Sequence, residues 1–397
     1  MGVDPFSLLV LFAVTVFAGY ISSFIFVKTG VSDVIWLLGF GSSIALFGLA
    51  NPALFIILSP FLLALALLII LFDAGLNLDF YQLRRAPRSL LFAGAEFVFS
   101  VLSVAAIGIL FLHLPPLLAL LLGTMVSSAS SPAAVMIVAQ LHLKPATMAL
   151  LNLGSAIANP LAIVAAVALV NLAVPATTGY STAADVVVAF TIGAVVGLVA
   201  GIFWLFALDR LKGKPFDYLL TLAVLFALYA FVVTVEGSGA VAALLFGLVL
   251  GNGATFSGML RLKRRLAVNY LLKTFQKESS FFIRSFFFIY IGVVAAVTPA
   301  YALYGLAIAA VLAGLRYLAV LMATVRMEIT AFETRIMSSL ASRGLAAAVL
   351  AQLPAVYGVA NADLYVNIVF VVIVATVLYT TVAVKLLAAP ESQKHEK

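Results

Sequence analysis

Long apolar stretches alternate with short polar or Pro/Gly-containing breaks along almost the entire chain. These stretches predict thirteen helices, most of them near the about 20 residues that cross a bilayer. Their spans are 6–27, 34–48, 54–77, 89–112, 116–140, 146–173, 184–208, 217–235, 239–252, 279–297, 300–324, 331–353 and 363–388. The pattern predicts an all-α membrane protein whose principal partner is the lipid bilayer. Residues 389–397 are predicted to form a short disordered cytoplasmic tail.

Basic residues in the connecting loops are distributed on one side only. If the odd-numbered predicted helices end on the same side, every loop Lys and Arg from Lys28 to Lys397 lies on that side. Such asymmetry marks the cytoplasmic face of a membrane protein. We therefore expect a multi-pass protein of the plasma membrane, with the N-terminus outside and the C-terminus cytoplasmic. The basic connection at 254–277 predicts either an amphipathic helix on the cytoplasmic face or a solvated linker.

The composition excludes several classes of protein. Hydrophobic residues make up 65% of the chain and charged residues 9%, whereas soluble domains are about 25% charged. A soluble enzyme, a disordered protein and a nucleic-acid-binding domain are therefore excluded, despite the net charge of +7. The chain has no cysteine, and its three histidines are far apart, so no metal site or cofactor is expected. No ATP-binding loop or nucleophile–base motif is visible, so we expect no enzymatic activity.

Two segments of the chain resemble each other. The sequence ASSPAAVMIVAQL at 129–141 aligns without gaps to ASRGLAAAVLAQL at 341–353, with six identities at an offset of 212 residues. Chance similarity between Ala-rich helices is the alternative explanation. The offset places the fourth, fifth and sixth predicted helices on the eleventh, twelfth and thirteenth. The two members of each pair are seven helices apart, and an odd number reverses their direction across the membrane. The sequence thus predicts an inverted repeat, an arrangement that many transporters use to build a substrate site.

The repeat divides the predicted single transporter unit into three parts. The first repeat covers 1–174, a linking helix covers 184–208, and the second repeat covers 217–388. Both matched segments contain a break, at 130–132 and at 342–344. Pro and Gly interrupt helices, and the freed backbone groups at membrane depth must face protein or a water-filled cavity.

Four segments resemble the cation/proton antiporter superfamily, which includes the sodium/proton exchangers. They are LFDAGLNLD at 71–79, GSGAVAALLFGLVLGN at 237–252, FFFIYIGV at 286–293 and SRGLAAAVLA at 342–351. The resemblance runs over about 30–390, in the family's order. It implies a dimerisation domain beside a mobile core domain, two discontinuous crossing helices (the fifth and twelfth), elevator-like motion and a homodimer. It also implies a small inorganic ion as substrate.

The acids of the resembled family are missing from this chain. The family's Thr-Asp-Pro break is matched by Ser130, Ser131 and Pro132, and its Glu-Ser-x-x-Asn-Asp motif is matched by residues 154–159. There Gly154 replaces the Glu that would face Arg343, and Asn159 replaces the ion-binding Asp.

The positions matching the family's ion site now carry neutral side chains and one arginine. They are Ser130, Ser131, Ser155, Asn159 and Arg343. Asn159 cannot titrate, but its amide can ligate a cation or donate to an anion. In the alternative interpretation, four serines are only small residues that allow close helix packing; they are Ser127, Ser128, Ser130 and Ser131.

Four charged residues are predicted to lie within the membrane, away from the helix ends, and such residues are functional candidates. They are Glu96, Arg284, Arg316 and Arg343. Each also has a structural interpretation. Glu96 and Arg316 can form a static ion pair, Arg284 can pair with Glu278 or Glu333, and Arg343 can bridge helix-end carbonyls.

Two transport functions are therefore consistent with the sequence. The first is a divergent exchanger of Na⁺ or K⁺ for protons, with Glu96 as proton carrier. The second is a transporter of a carboxylate, bicarbonate or similar anion, with an electropositive core built around Arg343. A non-transporting sensor or scaffold on the same fold is a third possibility, suggested by the missing acids.

Overall fold

The computed structural model describes residues 5–48, 52–81, 87–129, 143–174, 182–211, 216–259, 270–325 and 327–395. Its helices are α1 (Pro5–Thr29), α2 (Asp33–Leu46), α3 (Pro52–Asn77), α4 (Pro87–Leu112), α5 (Pro116–Met125), α6 (Pro145–Ala173), α7 (Ala183–Leu211), α8 (Asp217–Thr234), α9 (Gly239–Gly251), α10 (Gly253–Met259), α11 (Tyr270–Val294), α12 (Pro299–Thr324), α13 (Ala331–Ser339), α14 (Leu345–Leu350), α15 (Leu353–Val356) and α16 (Asp363–His395).

The described helices confirm a multi-pass membrane protein. Eight of them are long and apolar enough to cross a bilayer, and α9 with α10 would make a ninth although the pair is bent by 77°. Three shorter apolar helical segments, Asp33–Leu46, Pro116–Met125 and Leu345–Val356, account for further predicted spans. The count of thirteen spans stays a prediction.

Two predicted boundaries are wrong. Residues 270–277 do not belong to a separate surface helix, because α11 runs without interruption from Tyr270 to Val294. The charged residues suggested a surface helix, but its apolar face packs inside: Leu272 is buried, and Gln276 Nε2 donates to the Ile69 carbonyl of α3 (2.9 Å). Much of the basic connection, 260–269, lies outside the described residues. At the other end of the chain, α16 continues to His395, so the described part of the predicted disordered tail is helical.

Helices α3 and α9 pack with their backbones in contact. A Cβ atom added at Gly247 would overlap the Phe72 carbonyl, and one at Gly251 would overlap the Leu76 carbonyl. One turn further, Asn252 accepts a hydrogen bond from the Phe80 amide (2.9 Å) and donates to the Leu78 carbonyl (2.6 Å). Residue numbers therefore rise together along the two helices, which run parallel. This direction agrees with the predicted positions of α3 and α9 as the third and ninth spans.

Helices α4 and α12 are related by the offset of the predicted repeat. Shifting Pro87–Leu112 by 212 residues gives the bounds of Pro299–Thr324. Arg316 contacts Glu96, and the Tyr304 hydroxyl lies 3.5 Å from the Phe111 carbonyl, so the helices run antiparallel. Opposite directions are what an inverted repeat requires of equivalent helices.

The predicted break at 342–344 is confirmed, and it meets a second non-helical segment that precedes the predicted break at 130–132. After α5, residues 126–129 are non-helical, and residues 340–344 separate α13 from α14. Ala129 and Arg343 form an isolated antiparallel bridge between the two breaks. Thr124 and Ser127 hydroxyls bond to carbonyls at the end of α5, so the helix stops at Met125 instead of continuing to the predicted break. Ser130, Ser131 and Pro132 lie outside the described residues.

Because α3 and α9 are in backbone contact, we expect a single added methyl group there to destabilise the protein. Gly247→Ala should lower the free energy of unfolding by about 1–3 kcal/mol, because the new Cβ must push two backbones apart. Gly94→Ala is the matched control, since a Cβ there meets nothing within 4 Å. Thermal unfolding of the detergent-purified proteins measures both. Equal unfolding temperatures for the two variants would contradict backbone contact at Gly247.

Candidate ion site at the crossing of the broken helices

We call the place where the non-helical segments 126–129 and 340–344 meet the crossing. Arg343 lies at its centre and is fully buried. Its backbone amide donates to the Thr376 hydroxyl of α16 (3.2 Å). Its Nη1 atom donates to the Ser127 carbonyl (3.0 Å) in the opposite break and lies 3.3 Å from Glu96 Oε1. A single side chain thereby links both breaks to α4.

Glu96 lies between two guanidinium groups. Arg316 Nη1 contacts its two carboxylate oxygens at 2.9 and 2.7 Å, and Arg343 Nη1 approaches the first of these oxygens. Arg316 also donates from Nε to the Met337 carbonyl (2.9 Å) at the end of α13, and its guanidinium lies 5.2 Å from the Phe92 ring centroid. We call Glu96, Arg316 and Arg343 the charge triad. It connects α4, α12, α13 and the second break.

The position of Glu96 follows from the pattern of α4. Ser89, Phe92, Glu96 and Ser100 are buried and recur every three or four residues, so they share one face of the helix. Charged side chains are buried in proteins only when they are paired. Of the two structural alternatives for Arg316, extension towards the membrane surface and pairing with Glu96, the structure shows the pairing.

Arg343 has a carboxylate partner although Gly154 stands where the resembled family has its Glu. A Cβ atom at Gly154 would lie 2.7 Å from Phe92 Cδ1, so the Phe92 ring fills the space beside Gly154. Glu96 is one turn beyond Phe92 on α4 and supplies the carboxylate instead. The sequence gives no sign that a carboxylate on α4 takes the place of one on α6, because this depends on how the two helices pack.

The triad carries a net formal charge of +1 when Glu96 is ionised. Arg343 Nε and Nη2 are buried and have no hydrogen-bond partner among the described residues. The hydroxyl of Ser128, in the same non-helical segment as Ser127, is likewise buried without a partner.

Helix α6 brings neutral polar groups to the same place. Ser155 Oγ lies 3.3 Å from the Ala129 carbonyl, to which it donates a hydrogen bond at the bridge with Arg343. Asn159 is one turn further along α6 and is partly exposed. Ser155 therefore contacts the crossing directly, and Asn159 lies on the same face of α6. The other two predicted ion ligands, Ser130 and Ser131, lie outside the described residues.

Arg284 does not belong to the triad, and its predicted partners are wrong. It pairs with Asp33 at 3.1 Å, not with Glu278 or Glu333. Close packing of α2 against α11 explains the pairing, because a Cβ at Gly41 would overlap the Ile289 carbonyl.

Glu333 lies outside the charge triad and joins α13 to α6. Its carboxylate accepts hydrogen bonds from the Thr330 amide (3.0 Å), the Lys144 amide (2.8 Å) and the Thr147 hydroxyl (2.9 Å). The bond with Thr330 is half of a capping box that begins α13.

Three residues of the crossing were not singled out by sequence. Phe92, Met337 and Thr376 contribute a ring face, a carbonyl and a hydroxyl, respectively. Residues of these types are ordinary in membrane helices, so only their contacts identify them.

Removing the charge of Glu96 should destabilise the protein strongly. Glu96→Gln leaves two buried guanidinium groups without a counter-charge, and breaking a buried ion pair costs about 3–5 kcal/mol. Asp33→Asn is the matched control: in that pair Arg284 is 27% exposed and Asp33 is 8% exposed, so water screens one partner and the loss should be smaller, about 1 kcal/mol. Thermal unfolding in detergent compares them. A Glu96→Gln protein as stable as Asp33→Asn would contradict a structural role for the triad.

Comparison with known proteins agrees with this architecture. The chain is 28% identical over 328 residues to the K(+)/H(+) antiporter NhaP of Alkalimonas amylolytica, covering 80% of this chain and 54% of that protein. The chain thus spans about half the length of this curated relative.

Solved structures of the sodium proton antiporter MjNhaP1 from Methanocaldococcus jannaschii share the fold. The structure at pH 8 has a TM-score of 0.76 at 18% identity, covering 96% of this chain and 99% of that one. An electron-microscopy structure of the same antiporter has a TM-score of 0.71 at 18% identity, covering 98% and 96%.

The sequence model of the family described as "Sodium/hydrogen exchanger, transmembrane" matches residues 12–389. With two non-helical segments bridged beside buried charges, and with this match over nearly the whole length, the chain belongs to the sodium/hydrogen exchanger family.

Proposed function

We propose that this chain is a secondary active transporter, not an enzyme, that exchanges a monovalent cation (K⁺ or Na⁺) for protons across the plasma membrane. The observation that carries the proposal is the antiparallel bridge between Ala129 and Arg343, with Ser155 bonded to it. Crossed breaks of this kind form substrate sites near the membrane midplane in secondary transporters. The family and the relative named a K(+)/H(+) antiporter support the same class of activity.

In this proposal the cation is held by neutral oxygens. Ser155 and Asn159 supply a hydroxyl and an amide oxygen, and the break after α5 supplies carbonyls that no longer serve a helix. Ser130 and Ser131 belong to this ligand set by sequence. Carbonyl and hydroxyl oxygens without a formal charge can replace the hydration shell of an alkali cation, as they do in channel filters.

Glu96 is the proton carrier of the proposed cycle. Among the described residues, it is the carboxylate that contacts the crossing. Ionised Glu96 holds Arg316 and Arg343 together, whereas protonated Glu96 loses its attraction for both. Because Arg343 is also bridged to Ala129, protonation on α4 can change the arrangement of the two breaks. Proton binding and cation binding are in this way coupled through Arg343.

An elevator motion between a core domain and a dimerisation domain completes the proposal. The charge triad joins α4, α12 and α13, whereas the glycine contacts join α3 to α9 and α2 to α11. These two sets of helices share no member, so we infer that the first set moves against the second. A homodimer with each N-terminus outside and each C-terminus cytoplasmic would anchor the second set.

Cation-dependent proton flux tests the role of Glu96. In liposomes with an imposed pH gradient and a fluorescent pH reporter, adding K⁺ or Na⁺ should collapse the gradient for the native chain. Glu96→Gln should abolish this response because the amide cannot carry a proton. Glu96→Asp is the control that keeps a titratable group, and it should retain part of the activity.

Three other outcomes would count against this assignment. A Glu96→Gln protein that still couples K⁺ to protons would remove Glu96 as carrier. Flux that responds only to the anion of the added salt would favour the anion transporter. Silence toward every salt, with an active antiporter in parallel liposomes, would favour the sensor or scaffold.

Asn159 gives a separate test of the cation site. Asn159→Ala removes one ligand, and the apparent KM for the cation should rise about tenfold, as expected for one hydrogen-bond-like contact to a charged group. Asn152→Ala is the matched control, because Asn152 is an exposed residue of the same helix, and its KM should stay unchanged. Equal KM values for the two variants would exclude Asn159 from the site.

A further inference from the structure

Two hydrogen-bond donors of the buried Arg343 side chain have no partner in the part of the chain that the structure describes. Its Nη1 atom is engaged by Glu96 and the Ser127 carbonyl, whereas Nε and Nη2 are buried and lack an acceptor among the described residues. Arg316 differs: its Nε atom is engaged by the Met337 carbonyl. A buried donor without a partner is costly, and more so when it carries charge.

The two unused donors belong to the same edge of the guanidinium group. Its Nε–H and Nη2–H bonds point in nearly the same direction, at a spacing that matches the two oxygens of a carboxylate. Such a fork prefers a planar oxyanion held by two parallel hydrogen bonds. A spherical ion such as chloride cannot align with both donors equally well.

The net positive charge at the crossing also favours binding of an anion. Glu96 is contacted on both oxygens by Arg316, so its single negative charge is shared by two guanidinium groups. One positive charge is left over in a region where Arg343 is fully buried. The buried Ser128 hydroxyl, adjacent in sequence to the Ser127 carbonyl that Arg343 contacts, has a proton to donate as well.

We propose that the Nε/Nη2 edge of Arg343 binds a monovalent planar oxyanion, of the chemical class of formate, bicarbonate and nitrate. This ligand has the opposite sign to the cation proposed above, so the inference goes beyond cation/proton exchange. The bound anion neutralises the triad and removes the excess positive charge beside Ala129, where Ser155 is bonded. A cation and an anion then occupy adjacent parts of the same crossing.

Binding to the full-length purified protein tests the proposal without any ion gradient. Tetramethylammonium formate is titrated into the protein in lipid nanodiscs by isothermal calorimetry, at constant ionic strength set with tetramethylammonium chloride. The native chain should bind formate, nitrate should compete for the same site, and chloride should be at least about tenfold weaker. Alkali cations are absent, so failure of the proposed cation exchange would leave this result unaffected.

Two lysine variants locate the site. Arg343→Lys keeps the positive charge but removes the fork, and the Kd for formate should rise about tenfold or more. Arg284→Lys is the matched control, because Arg284 pairs with Asp33 away from the crossing, and its Kd should equal that of the native chain. Size-exclusion profiles and circular dichroism establish that both variants are folded.

The proposal is overturned by any of three results. These are no formate binding by the native chain, equal affinity for chloride and formate, or an unchanged Kd in Arg343→Lys. If Arg343→Lys does not fold, the preference of the native chain for formate and nitrate over chloride decides the question alone.

Discussion

The buried carboxylate of Glu96, held between Arg316 and Arg343, is the interaction on which the crossing depends. Burying three charged groups in a membrane protein is unfavourable unless each has partners, and here the partners lie on three helices and both non-helical segments. The ion pairs therefore constrain where α4, α12 and the second break can lie relative to one another. The carbonyls of Ser127 and Met337 complete the constraint, since they accept from the same two guanidinium groups.

Close helix packing supplies the rest of the architecture. Elsewhere in the described chain, glycine allows backbones to touch, for example between α3 and α9 and between α2 and α11. In lipid, such contacts gain van der Waals attraction that apolar side chains alone do not provide, because lipid tails are equally apolar. The second contact also places Asp33 within 3.1 Å of Arg284, so packing decides a charge pair that sequence spacing did not indicate.

Much of the fold was accessible from the sequence because it depends on local composition. The lengths of the apolar stretches predicted the long helices, and the Pro, Gly and Ser residues of the matched segments predicted the break at 342–344. The pairing of Glu96 with Arg316 was accessible because few charges were available within the membrane. The contact of Glu96 with Arg343 was not, since it depends on Phe92 filling the space beside Gly154. The start of α11 at Tyr270 was missed for the same reason: burial against α3 outweighed the charges that suggested a surface helix.

The antiparallel contact between α4 and α12 has a consequence for the symmetry of the molecule. Under the 212-residue offset, Glu96 is equivalent to Ile308, and Arg316 is equivalent to Val104. Ile308 and Val104 are both fully buried and apolar. One half of a pseudo-twofold interface is thus ionic, and its counterpart is hydrocarbon. Exchanging the conformations of the two helices would therefore not regenerate the same contacts, so two such conformations of a duplicated protein would not be equivalent by symmetry.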